Sequence, residues 1–347
     1  MIAEIRLQQY RSYLDQTFKL QPGVNVVVGP NASGKTNLLE AIMVACQGGS
    51  YRAADSELIT HNKNWARIDL TTINKDVRTV KITNQHKSDI EFIISGKRLK
   101  RLGYNHQLPL VFFEPNHLQL LFGPPELRRN YLDGILDQIK PGYKKNKHDY
   151  LKSLRQRNAL LKSGQANTDN IFPWNIRLSQ LGGFLATSRI GLVKELNEQI
   201  NVAYRSLSND TANITLTYSP SVLFDQYESL LLRKLEASYE LDNLRGYTAV
   251  GPHREDFATK VNNKQVSTVA SRGESRTIII ALKAIETDIL KNYLSKTPLI
   301  LFDDVFSELD INRRSGLTKF LMTHQSVITT TNADYLSSSL TNTIRLN

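Results

Sequence analysis

The clearest chemical pattern in the chain is a glycine-rich segment near its amino terminus. Residues 29–36 read GPNASGKT and fit the pattern GxxxxGK(S/T), after a valine run and before a helical run. Glycines let backbone N–H groups close around phosphates, and the helix start adds its positive dipole end. We therefore predict a nucleotide-phosphate site in which Lys35 reaches the β- and γ-phosphates and the Thr36 hydroxyl is a ligand of Mg²⁺. The predicted nucleotide contacts of this segment are Gly29, Pro30, Asn31, Ala32, Ser33, Gly34, Lys35, Thr36 and Asn37.

A phosphate loop needs an acidic side chain at the end of a neighbouring strand, and one segment supplies it. Residues 299–302 form an apolar strand pattern that ends in Asp303 and Asp304. Asp303 is the expected acid on the magnesium side, and Asp304 is placed to orient or deprotonate the attacking water. The predicted catalytic residues are Lys35, Asp303 and Asp304, and the predicted metal ligands are Thr36 and Asp303.

A second helix start made of small and polar residues comes late in the chain. Residues 271–275 read SRGES and precede an apolar helical run, which alone is also the pattern of an ordinary helix cap. The segment resembles the signature motif of ABC-type ATPases, where such a helix start binds the γ-phosphate held by the opposite subunit. The resemblance implies that Ser271 and Gly273 contact ATP across a dimer. Residues 307–310, SELD, resemble the loop of that class that touches the partner subunit.

The elements around the phosphate loop alternate between strand and helix patterns. Residues 3–9 alternate as a half-buried strand, and residues 23–29 form the continuous valine run of a strand buried on both faces. The helix after the loop has one apolar side, formed by Leu38, Leu39, Ile42 and Ala45. Residues 66–102 alternate again, which predicts an antiparallel patch.

The middle of the chain has a different period. Helical spacing dominates residues 109–245, and strands then return, with a predicted hairpin over residues 256–269 and strand–helix units to the end. We therefore predict an α/β fold split by an inserted α-helical domain. The resemblance to ABC-type ATPases implies that the split domain is a P-loop ATPase head with a mixed sheet and an antiparallel subdomain. The predicted segments are 1–108 and 246–347 for the two parts of the head and 109–245 for the helical arm.

Composition limits the class of protein. Lys and Arg number 44 against 33 Asp and Glu in 347 residues, and a net charge of +11 favours a polyanionic partner such as nucleic acid over a merely solvated basic surface. The single cysteine, Cys46, excludes a disulfide framework and a cysteine-based zinc site within one chain. No apolar run reaches the roughly 18 residues of a membrane span, and the amino terminus lacks a signal-peptide pattern, so we expect a cytoplasmic protein without a membrane partner.

A set of segments along most of the chain resembles the RecF family of bacterial recombination mediators, which are SMC-like ABC-type ATPases. The segments are YRSYLD (10–15), GPNASGKTNLLEAI (29–42), GGSYRAADSELI (48–59), PLVFFEPNHLQLLFGPPELRRNYLD (109–133), YLKSLRQRNALLK (150–162), GPHRED (251–256), SRGESR (271–276) and LFDDVFSELDINRR (301–314). The resemblance implies an ATP-dependent homodimer, associated with the nucleoid, that binds DNA at gaps. It also implies that the protein works with RecO and RecR to load RecA, supporting replication restart and SOS induction. It suggests, in addition, that Arg11 touches the nucleotide.

Three positions depart from the general ABC pattern. The expected catalytic glutamate is the shorter Asp304, and the lid glutamine is missing from FFEPNH at 112–117. The histidine expected after the last core strand is replaced by Thr330 and Thr331, while His324 lies before that strand. A shorter acid and a missing γ-phosphate histidine both weaken water activation. We therefore expect slow ATP hydrolysis that acts as a switch rather than a motor.

Basic clusters suit contacts with DNA phosphates without reading of bases. The predicted DNA-binding residues fall in three clusters: Lys97 and Arg98, beside Lys100 and Arg101; Arg128 and Arg129; and Lys144, Lys145, Lys147 and Arg155, in a segment from 140 to 162 that also carries Lys140, Lys152, Arg157 and Lys162. A solvated helix face is the alternative interpretation for each cluster. Two interpretations stay open for His253 and Arg254: contact with nucleotide or DNA, or anchoring of their own loop.

Other functions are compatible with parts of the pattern. A P-loop kinase acting on a small molecule would need neither the signature helix nor a dimer. Another SMC- or ABC-type nucleotide switch, or a DNA scaffold with little ATP turnover, would retain the basic clusters. ATP-driven dimerisation and the effect of ATP on DNA affinity separate these alternatives.

Overall fold

The computed structural model describes residues 1–84, 88–208, 211–304, 311–331 and 341–346. Its strands are β1 (Ile2–Tyr10), β2 (Tyr13–Lys19), β3 (Val24–Val28), β4 (Trp65–Thr72), β5 (Val77–Asn84), β6 (Ser88–Ile94), β7 (Lys97–Leu99), β8 (Leu110–Phe113), β9 (Ile214–Ser219), β10 (Asp256–Val261), β11 (Lys264–Gln265), β12 (Leu299–Asp303), β13 (Ser326–Thr330) and β14 (Thr341–Arg345). Its helices are α1 (Lys35–Gln47), α2 (Gln119–Phe122), α3 (Pro125–Ile139), α4 (Tyr143–Ser163), α5 (Thr168–Ser208), α6 (Tyr227–Ala237), α7 (Tyr239–Arg245), α8 (Val266–Val269), α9 (Arg272–Leu294) and α10 (Ile311–Leu321).

A five-stranded parallel sheet, in the order β14-β3-β13-β12-β8, carries the phosphate loop and the acidic strand. The valine run of β3 is nearly all buried, as expected for a strand covered on both faces. Strand β13 lies between β3 and β12. Because parallel strands point the same way, the loop after β3 and the acids ending β12 open at the same edge of the sheet.

Helix α1 contacts strands of both this sheet and a six-stranded antiparallel sheet in the order β2-β1-β4-β5-β6-β7. The predicted apolar side, Leu38, Leu39, Ile42 and Ala45, is fully buried. The opposite side is buried too, including Ala41 and Val44, because the second sheet covers it. The antiparallel patch predicted for residues 66–102 is confirmed as β4 to β7.

The chain divides into two compact units. The first contains residues 1–117, 206–209 and 279–347, and the second contains residues 118–205 and 210–278. These limits differ from the segments drawn from the sequence. Strand β8 pairs with β12 in the parallel sheet of the first unit, because its four residues LVFF form a buried strand rather than the start of a helix.

The second unit combines helices with a three-stranded antiparallel sheet in the order β11-β10-β9. Strand β9 lies within the segment that we expected to be helical, and its alternation of buried Ile214 and Leu216 with outer residues explains the difference. The turn of the predicted hairpin forms at Asn262 and Asn263, which both have positive φ. The hairpin is shorter than predicted, since residues 266–269 form a helical turn.

Across the described ranges, no helix is both long enough and apolar enough to cross a membrane.

Candidate functional site

The phosphate loop connects β3 to α1 through a backbone conformation that favours glycine. Gly34 caps the helix with φ of 99°. A Cβ atom at Gly34 would lie 2.8 Å from the Tyr13 hydroxyl and 2.9 Å from Ser12 Oγ. The Tyr13 hydroxyl also donates a 3.0 Å hydrogen bond to the Gly34 carbonyl. The β1–β2 turn therefore packs directly against the loop and fixes its shape.

Two polar groups of the loop fit a phosphate ligand. The Lys35 ammonium is nearly buried and donates 2.7 Å hydrogen bonds to the carbonyls of Gly29 and Pro30. The Ser33 hydroxyl is buried and has no hydrogen-bond partner among the described residues. A buried cation and an unsatisfied hydroxyl in a glycine-rich loop are suited to phosphate oxygens.

Asp303 joins the end of β12 to the phosphate loop. The Thr36 hydroxyl donates a 2.9 Å hydrogen bond to one carboxylate oxygen of Asp303. The Thr329 hydroxyl, on the neighbouring strand β13, donates to the other oxygen at 2.6 Å. Both oxygens are therefore held in place. A hydroxyl and a carboxylate at this spacing form the oxygen donor set that Mg²⁺ prefers.

Asp304 occupies a sharp turn at the end of the strand. Its φ is 47°, and its backbone N–H donates to the carbonyl and hydroxyl oxygens of Thr329 at 3.2 and 3.0 Å. Thr330 ends β13, and its carbonyl accepts a 3.3 Å hydrogen bond from the Gly29 N–H. His324 precedes β13, so it lies at the opposite edge of the sheet, beside Thr323.

A third acid, Glu114, lies at the edge of the sheet that carries the phosphate loop and Asp303. It was missed by the sequence analysis. It follows β8, whose Phe113 pairs with Phe302 immediately before Asp303. Burial raises the pKa of Glu114, and the negative charge of Asp303 raises it further. The Glu114 backbone N–H donates to His117 Nδ1 at 3.0 Å, which fixes the turn. The available signal was an acid directly after the apolar run LVFF, the same pattern that identified Asp303.

Glu40, on α1, holds two arginines beside the loop. Arg11 donates to its carboxylate at 2.9 and 3.0 Å, and Arg52 donates to it at 3.1 Å through two nitrogens. Arg52 also donates to Asn37 at 2.9 Å. The structure therefore places Arg11, a predicted nucleotide contact, in a shared ion-pair cluster. Glu40 and Arg52 were missed; an acid inside the apolar run LLEAIMVAC was the signal.

A shallow cavity of about 620 Å³, largely open to solvent, adjoins the first turn of α1. Its lining includes Arg11, Ser12 and Asn37 together with residues of the segment 56–63. That segment is tied to the β1–β2 turn by the Arg11 N–H to the Leu58 carbonyl, at 2.9 Å. The Thr60 hydroxyl in the lining is buried and lacks a hydrogen-bond partner in the described part of the chain. Sequence analysis gave no sign of this cavity.

The signature-like segment forms a reciprocal helix cap at the start of α9. The Ser271 hydroxyl accepts a 3.2 Å hydrogen bond from the Glu274 N–H, and the Glu274 carboxylate accepts a 2.7 Å hydrogen bond from the Ser271 N–H. These residues and Gly273 lie in the second unit. The segment therefore starts α9 as a helix cap, and its contact with ATP across a dimer stays a prediction. The SELD segment at 307–310 lies outside the described residues.

Three of the predicted DNA-binding cations make contacts within the second unit. Arg128 forms a 2.7 Å ion pair with Asp256, and Arg129 donates to the Glu255 carbonyl at 2.9 Å. Lys147 pairs with Asp133 at 2.9 Å. Arg128 thus has a carboxylate partner, Arg129 is held by a backbone carbonyl, and Lys147 shares Asp133 with Arg189. The exposed members of the predicted set are Lys97, Arg98, Lys144, Lys145 and Arg155.

Arg157 is fully buried, although the sequence placed it in the basic helical segment. It donates to Asp242 at 2.8 Å, to Thr248 at 2.7 Å and to Asn175 at 2.8 Å. A guanidinium with no exposed surface cannot contact a DNA phosphate. Arg157 is therefore a structural residue of the second unit.

The structure favours loop anchoring for His253. Its Nδ1 accepts a 2.7 Å hydrogen bond from the Tyr150 hydroxyl when Nε2–H donates to the Thr248 carbonyl at 3.1 Å. Burial lowers the pKa of His253 to about 4, so the ring is neutral near pH 7. Arg254 stacks on the Tyr247 ring at 5.1 Å. Both side chains are thus engaged inside the second unit.

Comparison with known proteins gives a consistent result. Residues 1–346 match the family described as RecF/RecN/SMC N terminal domain. The chain is 32% identical to the DNA replication and repair protein RecF of Alkaliphilus oremlandii (strain OhILAs) over 342 residues, covering 95% of this chain and 93% of that protein. It is 36% identical to the protein of the same description from Streptococcus pyogenes serotype M4 (strain MGAS10750) over 347 residues, covering 97% and 93%.

Solved structures show the same relationship. The structure of the recombination mediator protein RecF-ATPrS in the RecFOR pathway superposes with a TM-score of 0.88 at 28% identity, covering 99% of this chain and 96% of that one. The SmcHead bound to the C-winged helix domain of ScpA is 16% identical with a TM-score of 0.53, a likeness of fold. The chain belongs to the RecF/RecN/SMC N terminal domain family and, within it, to the RecF family of DNA replication and repair proteins.

Proposed function

We propose that the protein is an ATP-dependent DNA-binding switch of recombinational repair, with slow ATP hydrolysis. The observation that carries the proposal is the 2.9 Å hydrogen bond from Thr36 to Asp303. It joins a phosphate loop and an acidic strand end at one edge of a parallel sheet. The RecF relatives, one of them solved with the nucleotide analogue ATPrS, support ATP as the ligand.

The phosphate loop binds the triphosphate through groups already in position. Lys35 exchanges its two carbonyl acceptors for phosphate oxygens, and the Ser33 hydroxyl gains the partner that it lacks. Thr36 and Asp303 would hold Mg²⁺. When bound, Mg²⁺ neutralises charge on the phosphates and orients them for transfer.

Slow hydrolysis follows from the groups around the attacking water. Asp304 is one methylene shorter than the expected glutamate and sits in a turn with φ of 47°. Thr330 and Thr331 offer no imidazole to the γ-phosphate. Weaker proton acceptance and weaker charge stabilisation both lower the hydrolysis rate.

The cavity beside α1 takes the nucleoside end of ATP. It adjoins Asn37, one residue after the magnesium-side Thr36, and is open to solvent, so a nucleoside can enter it. The Thr60 hydroxyl supplies an unsatisfied polar group for base or ribose.

The γ-phosphate completes a site between two chains. Ser271 and Gly273 of one chain would contact the triphosphate bound to the other, so ATP would close a homodimer. The Glu274 carboxylate, which now accepts the Ser271 N–H, must release that N–H when a phosphate oxygen takes it. Closure of the dimer is thereby linked to nucleotide binding.

DNA binding uses the exposed cations of both units. Lys97, Arg98, Lys144, Lys145 and Arg155 are exposed and can contact phosphates, although Arg98 also lies 3.9 Å from Glu91. The net charge of +11 supports such a partner. By analogy with the RecFOR pathway of the solved relative, RecO and RecR are the proposed partners. In this role the dimer clamps DNA at gaps in the nucleoid and helps to load RecA.

Sedimentation with and without ATP tests the switch. The wild type should dimerise with ATP and Mg²⁺. The variants Lys35→Met and Ser271→Arg should keep the sedimentation coefficient that they have without ATP. A wild type that binds ATP without any change in sedimentation would refute the trans site. DNA affinity that is identical with and without ATP would instead favour a nucleotide-independent scaffold.

A further inference from the structure

We infer that Glu40 is a positioning residue for ATP turnover, because its carboxylate holds Arg11 and Arg52 together and presents both guanidinium groups to the bound triphosphate. The inference rests on the proposed ATP site and adds to it a residue that makes no contact with the phosphates. Its basis is the contacts, the charge balance and the location of the cluster.

The contacts of Glu40 are unusually many for one side chain. Its carboxylate has no exposed surface, yet it accepts two hydrogen bonds from Arg11, two from Arg52 and one of 2.6 Å from Ser50. Five donors on two oxygens hold the group firmly in its ionised form. These contacts outweigh its burial and lower the pKa of Glu40 to about 2.

The charge balance of the cluster points to an anionic ligand. Two guanidinium groups against one carboxylate leave a formal surplus of one positive charge. A buried carboxylate needs only one cation for compensation, so the second arginine is unexplained by stability alone. Both arginines keep part of their side chains exposed, 21% for Arg11 and 36% for Arg52. Arginine is the side chain best suited to paired hydrogen bonds with phosphate.

The cluster lies along the nucleotide site. Glu40 follows Thr36 by four residues and so lies one helical turn further on the same face of α1. Arg11 lines the cavity proposed for the nucleoside. The positive charge of Arg52 acts on Glu114, lowering its pKa against the raising effects of burial and Asp303. The Glu40 carboxylate thus places Arg11 and Arg52 between the proposed nucleoside cavity and the sheet edge that carries Asp303 and Glu114.

The backbone at Arg11 supports the same conclusion. Its φ is 51°, a conformation that costs energy for a residue other than glycine. The N–H of Arg11 bonds to the Leu58 carbonyl and its side chain bonds to Glu40, which hold the residue in this state. A two-residue turn between paired strands requires such a φ at its first position, so the turn and these bonds together fix the place of the Arg11 side chain.

Steady-state ATP hydrolysis and binding of a fluorescent ATP analogue test the inference in the full chain. Glu40→Gln should raise KM and Kd about tenfold with kcat changed less than about twofold, since ground-state positioning is lost. Glu40→Asp, which keeps the charge, should recover part of the loss. Asp15→Asn is the matched control, because Asp15 pairs with Arg6 on the exposed side of the β1–β2 hairpin, and it should leave both constants unchanged.

A double-mutant cycle separates positioning from an independent effect. If Glu40 acts through its two arginines, adding Glu40→Gln to the double variant Arg11→Gln with Arg52→Gln should leave the KM of that double variant nearly unchanged. A KM raised further when Glu40→Gln is added to the arginine substitutions would overturn the inference. A wild-type KM for Glu40→Gln alone would overturn it as well. Should Glu40→Gln lower the thermal midpoint sharply, Arg11→Gln and Arg52→Gln carry the test, and normal KM values for both would overturn it.

The same measurements distinguish the inference from the function on which it rests. ATP binding by the wild type and its loss in Lys35→Met support the ATP site. A wild type that fails to bind ATP would overturn the proposed function, and this inference with it. If the wild type binds ATP and Glu40→Gln has the KM and Kd of the wild type, this inference alone is overturned.

Discussion

Arg155 and Arg157 stand two residues apart in the sequence RQR, but the structure gives them opposite surroundings. Arg155 is exposed, whereas Arg157 is fully buried against Asp242. We predict that Arg157→Met destabilises the second unit by about 3–5 kcal/mol, the usual cost of leaving one member of a buried ion pair without its partner. Arg155→Met, the matched control on the same helix, should change stability by less than about 0.5 kcal/mol.

The contacts of Arg157 account for this magnitude. Its guanidinium makes three side-chain hydrogen bonds of 2.7–2.8 Å, and hydrogen bonds to charged groups contribute about 1.5–3 kcal/mol each before the bonded groups relax. Methionine fills much of the volume but supplies no donor, so the Asp242 carboxylate stays buried without its cation. A loss of this size is a large share of the about 5–15 kcal/mol that stabilises a typical domain.

Urea unfolding followed by tryptophan fluorescence measures the effect, since Trp65 lies in the first unit and Trp174 in the second. The transition reported by Trp174 should move to lower urea by about 1 M or more, given a slope of about 1–3 kcal/mol/M. The double variant Arg157→Met with Asp242→Leu should recover most of the loss, because the buried charge is removed with its partner.

For DNA binding we predict the opposite order of effects for Arg155→Met and Arg157→Met. Arg155→Met should reduce the slope of log affinity against log salt by about 0.9 if the side chain contacts one phosphate, while folded Arg157→Met should keep the wild-type slope. An Arg157→Met protein with the wild-type urea midpoint and a reduced salt slope would refute the structural role assigned to Arg157.

Three further predictions concern the nucleotide site and the helix cap. Gly34→Ala should lower ATP affinity at least about tenfold, because an L side chain at φ of 99° is strained and meets Tyr13, whereas Gly49→Ala, in open space, should bind ATP normally. The folded-state pKa of Glu40, about 2 against an ordinary 4.5, means that its stabilisation is present above about pH 4.5 and is lost as pH falls towards 2. Acid unfolding of Glu40→Gln should therefore be less steep over this range. Glu274→Gln keeps a capping side chain but removes the negative charge beside the Ser271 N–H, so its dimer should form at lower ATP concentrations in sedimentation; an unchanged requirement for ATP would contradict the idea that this carboxylate competes with phosphate.

The parts of the site that could be predicted from sequence are those built from neighbours along the chain. The phosphate loop is one segment between a strand and a helix, and Asp303 follows an apolar strand, so type and spacing sufficed to identify both. The family resemblance and the α/β fold are confirmed by the comparisons. Glu114 had the same local signal as Asp303 but was overlooked because a glutamine was expected there.

The roles of the arginines could not be read from the sequence, because their partners are distant. Asp242 is 85 residues from Arg157, and Asp256 is 128 residues from Arg128. A basic residue in a helical pattern looks the same whether it faces solvent or a buried carboxylate, since only the tertiary fold supplies the acid. Strand β9 was missed for a related reason: its pairing with β10 joins segments that periodicity assigned to different parts of the fold.

The order of strands in the parallel sheet has a consequence for how the protein is made. The strand that leads into the phosphate loop, β3, is bordered by β13 on one side and β14 on the other. Asn25 of β3 bonds to Ser326, 301 residues away, and accepts a hydrogen bond from Asn342. While the ribosome is translating the intervening residues, β3 has no neighbouring strand, and the loop that it carries contacts only the β1–β2 turn made before it. A nascent chain completes the sheet around the proposed nucleotide site only after β13 and β14 have been synthesised, so we expect a translation product truncated before β13 not to bind ATP.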